Sequence, residues 1–240
     1  VYKRLIGNGV LDGFVLFSPS DDDPRAAFLR DNDIPFVVHG RIGPAPDHAY
    51  FDIENEGILH QMASHLTGLG HRRIALINGR PGLSFASARL RGYRRALEQA
   101  GIAFDPALTR HGEMTEALGL VSTVEMFRQG DRPPTAIICS HVHIAKGVYK
   151  ALEALGLGIP GDVSVMAHDD HLPALRASAF FPALSVTKAP LRDSWEPLAD
   201  CLAGLLEGRP LKELQRVGPH ELIIRNSTGP APEPSDKDEP

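Results

Sequence analysis

The sequence predicts an α/β protein built from doubly wound parallel sheets, and three observations predict it. Short, nearly continuous apolar runs recur along the chain, each bounded by Gly, Pro or charge, as expected for strands covered on both faces. Helix-length segments with 3.6-residue periodicity lie between most of them. The composition, 42% apolar and 23% charged over 240 residues, is that of a globular chain with a sizeable core.

The strand signals fall at Gly13–Phe17, Pro35–Val38, Tyr50–Asp52, Arg73–Ile77, Thr135–Cys139 and Val163–Ala167, with later candidates at Ala183–Thr187 and Glu221–Arg225. The helical segments are Asn55–Leu69, Ser87–Ala100, Thr115–Arg128, Ile144–Leu155 and Leu191–Leu206. Gly68 and Gly70, Gly101, Gly130, Gly156 and Gly208 close them in turn, the usual helix stop signal. Val1–Ile6 reads as the end of a preceding helix, and the Pro-, Asp- and Glu-rich stretch 229–240 reads as a disordered tail.

Net charge is −5, from 25 Lys+Arg against 30 Asp+Glu. A free-standing nucleic-acid binder is usually basic on balance, so a DNA-binding part is expected to be absent or very local. Cys139 sits in an apolar strand and Cys201 in a helical pattern. Both read as buried free thiols, which suits a reducing compartment. No apolar run approaches the roughly 20 residues that span a bilayer, so neither a membrane partner nor a membrane location is expected.

Several chemistries find no motif. There is no G-x-G-x-x-G or Walker loop at any strand-to-helix junction, and the turn Gly79-Arg80-Pro81-Gly82 fits no nucleotide fingerprint. No G-x-S-x-G elbow occurs. His141 and His143, and His168 and His171, are close in sequence, but a zinc site needs three or four converging ligands. No metal, no cofactor and no catalytic residue is therefore expected, and the histidines read as polar loop or pocket residues. Asp169-Asp170 follow a strand directly. Ligands bind open α/β sheets at the carboxyl ends of strands, and a carboxylate there can accept two hydroxyl hydrogen bonds; a turn or helix-cap role is equally open. Arg89 lies near a helix start after the strand Arg73–Ile77. Its fork of donors suits vicinal hydroxyls or a carboxylate, against the plainer reading of a solvated helix-surface arginine.

The stretches Gly70-His71-Arg72-Arg73-Ile74-Ala75-Leu76-Ile77 and Arg89-Leu90-Arg91-Gly92-Tyr93-Arg94-Arg95-Ala96-Leu97 resemble the LacI/GalR family of bacterial transcription regulators. So do Pro160 to Asp170, Pro182 to Thr187 and the closing Pro219 to Thr228. The resemblance covers residues 1–229. It implies a type I periplasmic-binding-protein-like fold: an N-terminal lobe of residues 1–52 and 190–216, a C-terminal lobe of residues 53–189 and 217–228, and a ligand cleft between them.

By the same resemblance, Arg89 matches an arginine that holds sugar hydroxyls or an acidic group, and Asp169 the carboxylate at the end of the Val163–Ala167 strand. Ser18 and His39 fall at strand ends of the N-terminal lobe, Phe51 near a lobe crossover, and Met114 where a stacking aromatic is often found. His141 stands where the family usually has an asparagine, and His168 where it has a tyrosine. These departures allow a pH-sensitive pocket or an anionic ligand.

The implied function is the effector-binding core of a cytoplasmic regulator that senses a sugar or sugar-like molecule and acts as a homodimer. Operator DNA would be reached only through an N-terminal helix-turn-helix, which has no counterpart in this sequence, nor does the first strand–helix–strand of the N-terminal lobe. The competing reading is a periplasmic sugar-binding protein of a transport system, which shares the two-lobe design. An enzyme on the same scaffold is not expected, since no nucleophile or acid–base spacing stands out.

Overall fold

A computed structural model describes residues 11–129, 132–171 and 173–233, and the chain in it divides into two units. The first takes residues up to Glu54, Gly82–Ser87 and Leu191–Pro219; the second takes Asn55–Pro81, Ala88–Pro190 and the rest from His220. The resemblance implies one lobe for all of 53–189, whereas Gly82–Ser87 belongs with the first unit. The reason is local bonding: Ser84 N donates to the Pro19 carbonyl at 2.9 Å, Asp21 N to that of Gly82 at 2.9 Å, and Ser87 Oγ to Asp21 Oδ2 at 2.6 Å.

The first unit holds a four-stranded parallel sheet made, in spatial order, of β1 Phe14–Leu16, β2 Phe36–His39, β3 Ala49–Ile53 and β9 Gln215–Gly218. Alternation along each strand feeds two apolar layers. Val37, Ala49 and Phe51 pack with Leu198, Cys201 and Leu214, while Leu16, Phe36 and Val38 pack with Ala26 and Leu29. Helix α1, Pro24–Asp31, is absent from the sequence expectations, although its start is well marked: Asp23 caps it by accepting from Arg25 N, with Pro24 in the first turn. Strand β9 is absent from them too, because its sequence Gln-Arg-Val-Gly carries little apolar pattern.

In the second unit a six-stranded sheet holds β4 Ile74–Asn78, β5 Thr109–His111, β6 Ala136–Cys139, β7 Ser164–Asp169, β8 Ser185–Lys188 and β10 Glu221–Ile223. Their spatial order is β10-β8-β7-β6-β4-β5. Only β10 is antiparallel, against β8. Helices α2 Asn55–Gly68, α3 Ser84–Gln99, α4 Glu116–Gln129 and α5 Val142–Ala154 alternate with the strands, and α6 Trp195–Leu206 returns to the first unit. Ile77, Ile137, Cys139, Val165 and Val186 face Val142, Ala145, Val148 and Leu152 of α5 in one core layer. Ile74, Leu76, Ile138 and Met166 are equally buried, and α2 lies against β6, β7 and β8.

Cys139 and Cys201 are both buried and free. Gly70, Gly101, Gly156 and Gly208 all have positive φ after the helices they close; Gly130 and Val1–Ile6 lie outside the described residues. The start of the expected tail is fastened rather than loose: Gly229 N donates to Ser164 Oγ at 3.0 Å and Ala231 N to the Leu69 carbonyl at 2.9 Å. His71 explains much of this. Its Nε2 donates to the Gly229 carbonyl at 3.1 Å, which leaves Nδ1 to accept from the Thr135 hydroxyl at 2.9 Å. One buried imidazole thus ties Gly229 to the amino ends of β6 and β7.

Candidate functional site

A polar cluster is buried where β6 and β7 end at their carboxyl termini. Strand β7 runs two residues beyond the end its apolar run predicts, so His168 and Asp169 are strand residues and Asp170 follows at once. Arg89, on α3, is 5% exposed; its Nε donates to Asn55 Oδ1 at 2.9 Å and its Nη1 to the Ser140 carbonyl at 2.6 Å. The plainer reading of Arg89 as a solvated surface residue does not hold.

His141 is the N-cap of α5. Its Nδ1 accepts from His143 N at 3.2 Å, so the ring proton resides on Nε2, which stands 3.4 Å from Asp170 Oδ2. His168, with no exposed surface, approaches the other oxygen: its Nε2 is 3.1 Å from Asp170 Oδ1, and its Nδ1 is 3.1 Å from Thr187 Oγ1. Burial pushes His168 below the usual histidine range, reinforced by the nearby charge of Arg89. Burial alone would raise Asp170, but the two imidazoles and the Arg89 guanidinium outweigh it and hold the carboxyl well below its usual range. At neutral pH the cluster therefore sets a guanidinium and a carboxylate beside the uncharged ring of His168.

One buried atom here, Ser140 Oγ, completes no hydrogen bond among the described residues. Buried polar atoms are rarely left so without a reason, and a hydroxyl-bearing ligand would supply one.

The resemblance points to Asp169 as the site carboxylate. The structure brings Asp170 between the histidines instead. Asp169 holds a turn: its Oδ1 accepts from His171 N at 2.7 Å, and His171 has φ of 56°. Met114 packs on the core of the second unit. Of the residues the sequence raises for this unit's site, Arg89, His141, His168 and Asp170 join the cluster; Asn55 and Ser140 are additions that the fold supplies.

The first unit has its own strand-end group. His39 ends β2, with Nε2 3.1 Å from Ser194 Oγ. Ser18 is exposed with φ of 50°, and its carbonyl accepts from Arg25 Nη2 at 3.3 Å. Phe51 is not part of that group; it is buried in the apolar layer formed with Leu198, Cys201 and Leu214. It lies in mid-strand and faces the helix layer.

Among the described residues, no group of three or more His, Cys, Asp or Glu is placed to hold a metal ion, and no helix is long and apolar enough to cross a membrane.

Comparison with known proteins follows the same lines. A family model described as a periplasmic binding protein-like domain matches residues 63–228. The HTH-type transcriptional regulator AglR of Rhizobium meliloti (strain 1021) is 41% identical over 238 residues, which cover 98% of this chain and 66% of that protein. The chain thus spans just under two thirds of that relative's length. A solved regulatory protein of the LacI family from Chloroflexus aggregans superposes with a TM-score of 0.84 at 32% identity, covering 95% of this chain and 80% of the other. A structure of the regulator CelR in complex with cellobiose gives a TM-score of 0.82 at 28% identity, covering 94% and 69%.

Proposed function

The chain belongs to the periplasmic binding protein-like domain family, in the form that LacI-type regulators carry, and from that premise we propose that it is the effector-binding core of a transcriptional regulator that senses an uncharged sugar. The observation that carries the proposal is the buried cluster of Arg89, Ser140, His141, His168 and Asp170. A guanidinium and a carboxylate side by side suit vicinal hydroxyls, each of which donates to one group and accepts from another. An acidic effector would meet the Asp170 carboxylate, so the cluster favours a neutral ligand over the anionic one that the two histidines allow.

Support for a sugar also comes from the cellobiose bound to the similar regulator CelR. Ser18 and His39 at the strand ends of the first unit are proposed as further effector contacts. On this reading the two units are the two lobes. The effector acts only through its different affinity for the conformations the domain can adopt. Signal output through a homodimer in the cytoplasm, with operator DNA held by a helix-turn-helix segment outside this chain, completes the proposal, and no catalysis is assigned. The transport reading draws no comparable support, since the relatives are HTH-type regulators.

The test is a thermal-shift screen with cellobiose, maltose, lactose, galactose and ribose beside gluconate and glucose 6-phosphate. At least one neutral sugar is expected to raise the melting temperature in a saturable way, and the charged analogues are not. Stabilisation by the anions alone contradicts the proposal.

A further inference from the structure

We propose that Thr187 is a positioning residue of the effector site: its buried hydroxyl orients the His168 ring, and the ring in turn holds the Asp170 carboxylate in place for the effector. This rests on the reading of the polar cluster as a sugar site and extends that site one residue further into the sheet.

Strand pairing sets up the contact. Thr187 on β8 lies in register with His168 on β7, so both side chains leave the same face of the sheet. Neither has any exposed surface. Their strand neighbours Ala167 and Val186 point to the opposite face, into the apolar layer with α5. On its own face Thr187 meets α2, where Met62 is fully buried and its Sδ lies 3.3 Å from the Thr187 hydroxyl. A valine would fill that space without the cost of burying a hydroxyl, so packing alone does not account for the threonine. Its partner does: the hydroxyl stands 3.1 Å from His168 Nδ1.

Proton counting gives the direction of each bond. The Thr187 hydroxyl has one hydrogen and two acceptors in reach, a ring nitrogen and a thioether sulfur, of which the sulfur is the weaker. A neutral imidazole carries one ring hydrogen. Were it on Nδ1, the bare Nε2 would face Asp170 Oδ1 at 3.1 Å with two lone pairs opposed, and the cluster keeps that carboxyl ionised. Nε2 therefore carries the hydrogen and donates to Asp170, while Nδ1 accepts from Thr187.

The relay fixes a residue that the strand itself does not. Asp170 lies just beyond the end of β7. Its two oxygens face ring nitrogens, Oδ1 that of His168 at 3.1 Å and Oδ2 that of His141 at 3.4 Å, and each oxygen keeps a lone pair for an effector hydroxyl. His141 takes its aim from its cap bond with His143 N on α5. The corresponding anchor for His168 is Thr187. Without it the ring can turn about its own axis, and the carboxylate loses the fixed geometry of a preorganised site.

Nitrogen NMR of the histidine rings reads the bond without a ligand. In the wild-type chain at pH 7.5 the His168 signals, assigned by their loss in His168→Gln, are expected to show a protonated Nε2 and a bare, hydrogen-bonded Nδ1. Thr187→Val is expected to move the Nδ1 signal downfield, and Thr187→Ser to bring it back. Calorimetry then uses whichever of cellobiose, maltose, lactose and galactose stabilises the wild-type chain. Thr187→Val is expected to bind that sugar about fivefold more weakly, the worth of one hydrogen bond, and Thr187→Ser to restore most of the loss. A merely structural threonine would lower the melting temperature of Thr187→Val and leave sugar affinity alone; that result overturns the proposal while the sugar-binding reading survives. A protonated Nδ1 in the wild-type ring overturns it too, and is read even if Thr187→Val does not fold. If no sugar binds the wild-type chain, the functional reading itself fails and the role of Thr187 with it.

Discussion

His168 Nε2 stands 3.1 Å from Asp170 Oδ1, while the other nitrogen of the same ring stands 3.1 Å from the Thr187 hydroxyl. With no exposed surface, the imidazole fixes where the carboxylate sits. On the proposed reading, Asp170 is then the group offered to a ligand. Asp170→Asn is expected to weaken the effector at least tenfold, because a charge-assisted hydrogen bond becomes a neutral one, and also to lower the melting temperature, because the cluster holds the carboxyl well below its usual range. Asp169→Asn is expected to lower stability through the His171 turn with little change in effector affinity. Calorimetry and thermal melts on the two variants check the pair.

Acid sensitivity follows from the buried histidines. Burial pushes His71 and His168 down from the ordinary value of 6.5, so the folded protein resists protons that the unfolded chain accepts. Their contribution to stability is whole above about pH 6.5. It declines as pH falls below that value, and levels off once the folded-state values are passed. Melting temperature is expected to be flat between pH 8 and 7 and to drop steadily from pH 6.5 to 5. Effector affinity should follow the same course, flat through neutrality, because His168 is neutral there.

Removing His71 itself tests the tie it makes. His71→Ala removes its bonds to the Thr135 and Ser164 hydroxyls and to the Gly229 carbonyl, at about 0.5–1.5 kcal/mol for each bond lost. A melting temperature several degrees lower is expected, with hydrogen exchange faster in residues 228–231. Unchanged exchange there would mean that the Gly229 and Ala231 backbone bonds suffice.

The close pairing of α4 and α5 makes a third stability prediction. A Cβ on Gly147 would collide with the carbonyl of Glu116 on the facing helix, where Glu116 also pairs with Lys146 at 2.8 Å and with Lys150. Gly147→Ala gains helix propensity, about 1 kcal/mol, but must push the helices apart, at about 1–3 kcal/mol for an overpacked contact. Net destabilisation in a denaturant melt is the expected sign.

Legibility in the sequence tracks burial. The run Arg73–Ile77 is readable because both faces of β4 are covered, which forces apolar residues at every position. Strand β5 is not, because Thr109-Arg110-His111 is a short edge strand defined by pairing with β4 rather than by its own composition. Helix α1 hides for a similar reason: Ala26 and Leu29 are its buried residues, too few for a periodic stripe. In the site, Arg89 and His141 are legible through resemblance. Asp170 cannot be separated from Asp169 in the sequence, since that choice depends on how the chain turns after β7. Thr187 and His168 lie on different strands, and only the pairing of β7 with β8 brings them into contact.

The most direct measurement is calorimetric titration of a stabilising neutral sugar into the wild-type chain and Arg89→Ala, with circular dichroism to confirm the fold. Truncating a buried, hydrogen-bonded charge costs about 2–5 kcal/mol, so affinity is predicted to fall at least tenfold while the spectrum stays the same. Affinity within twofold of wild type, in a folded variant, would contradict the assignment of the Arg89 cluster as the effector site.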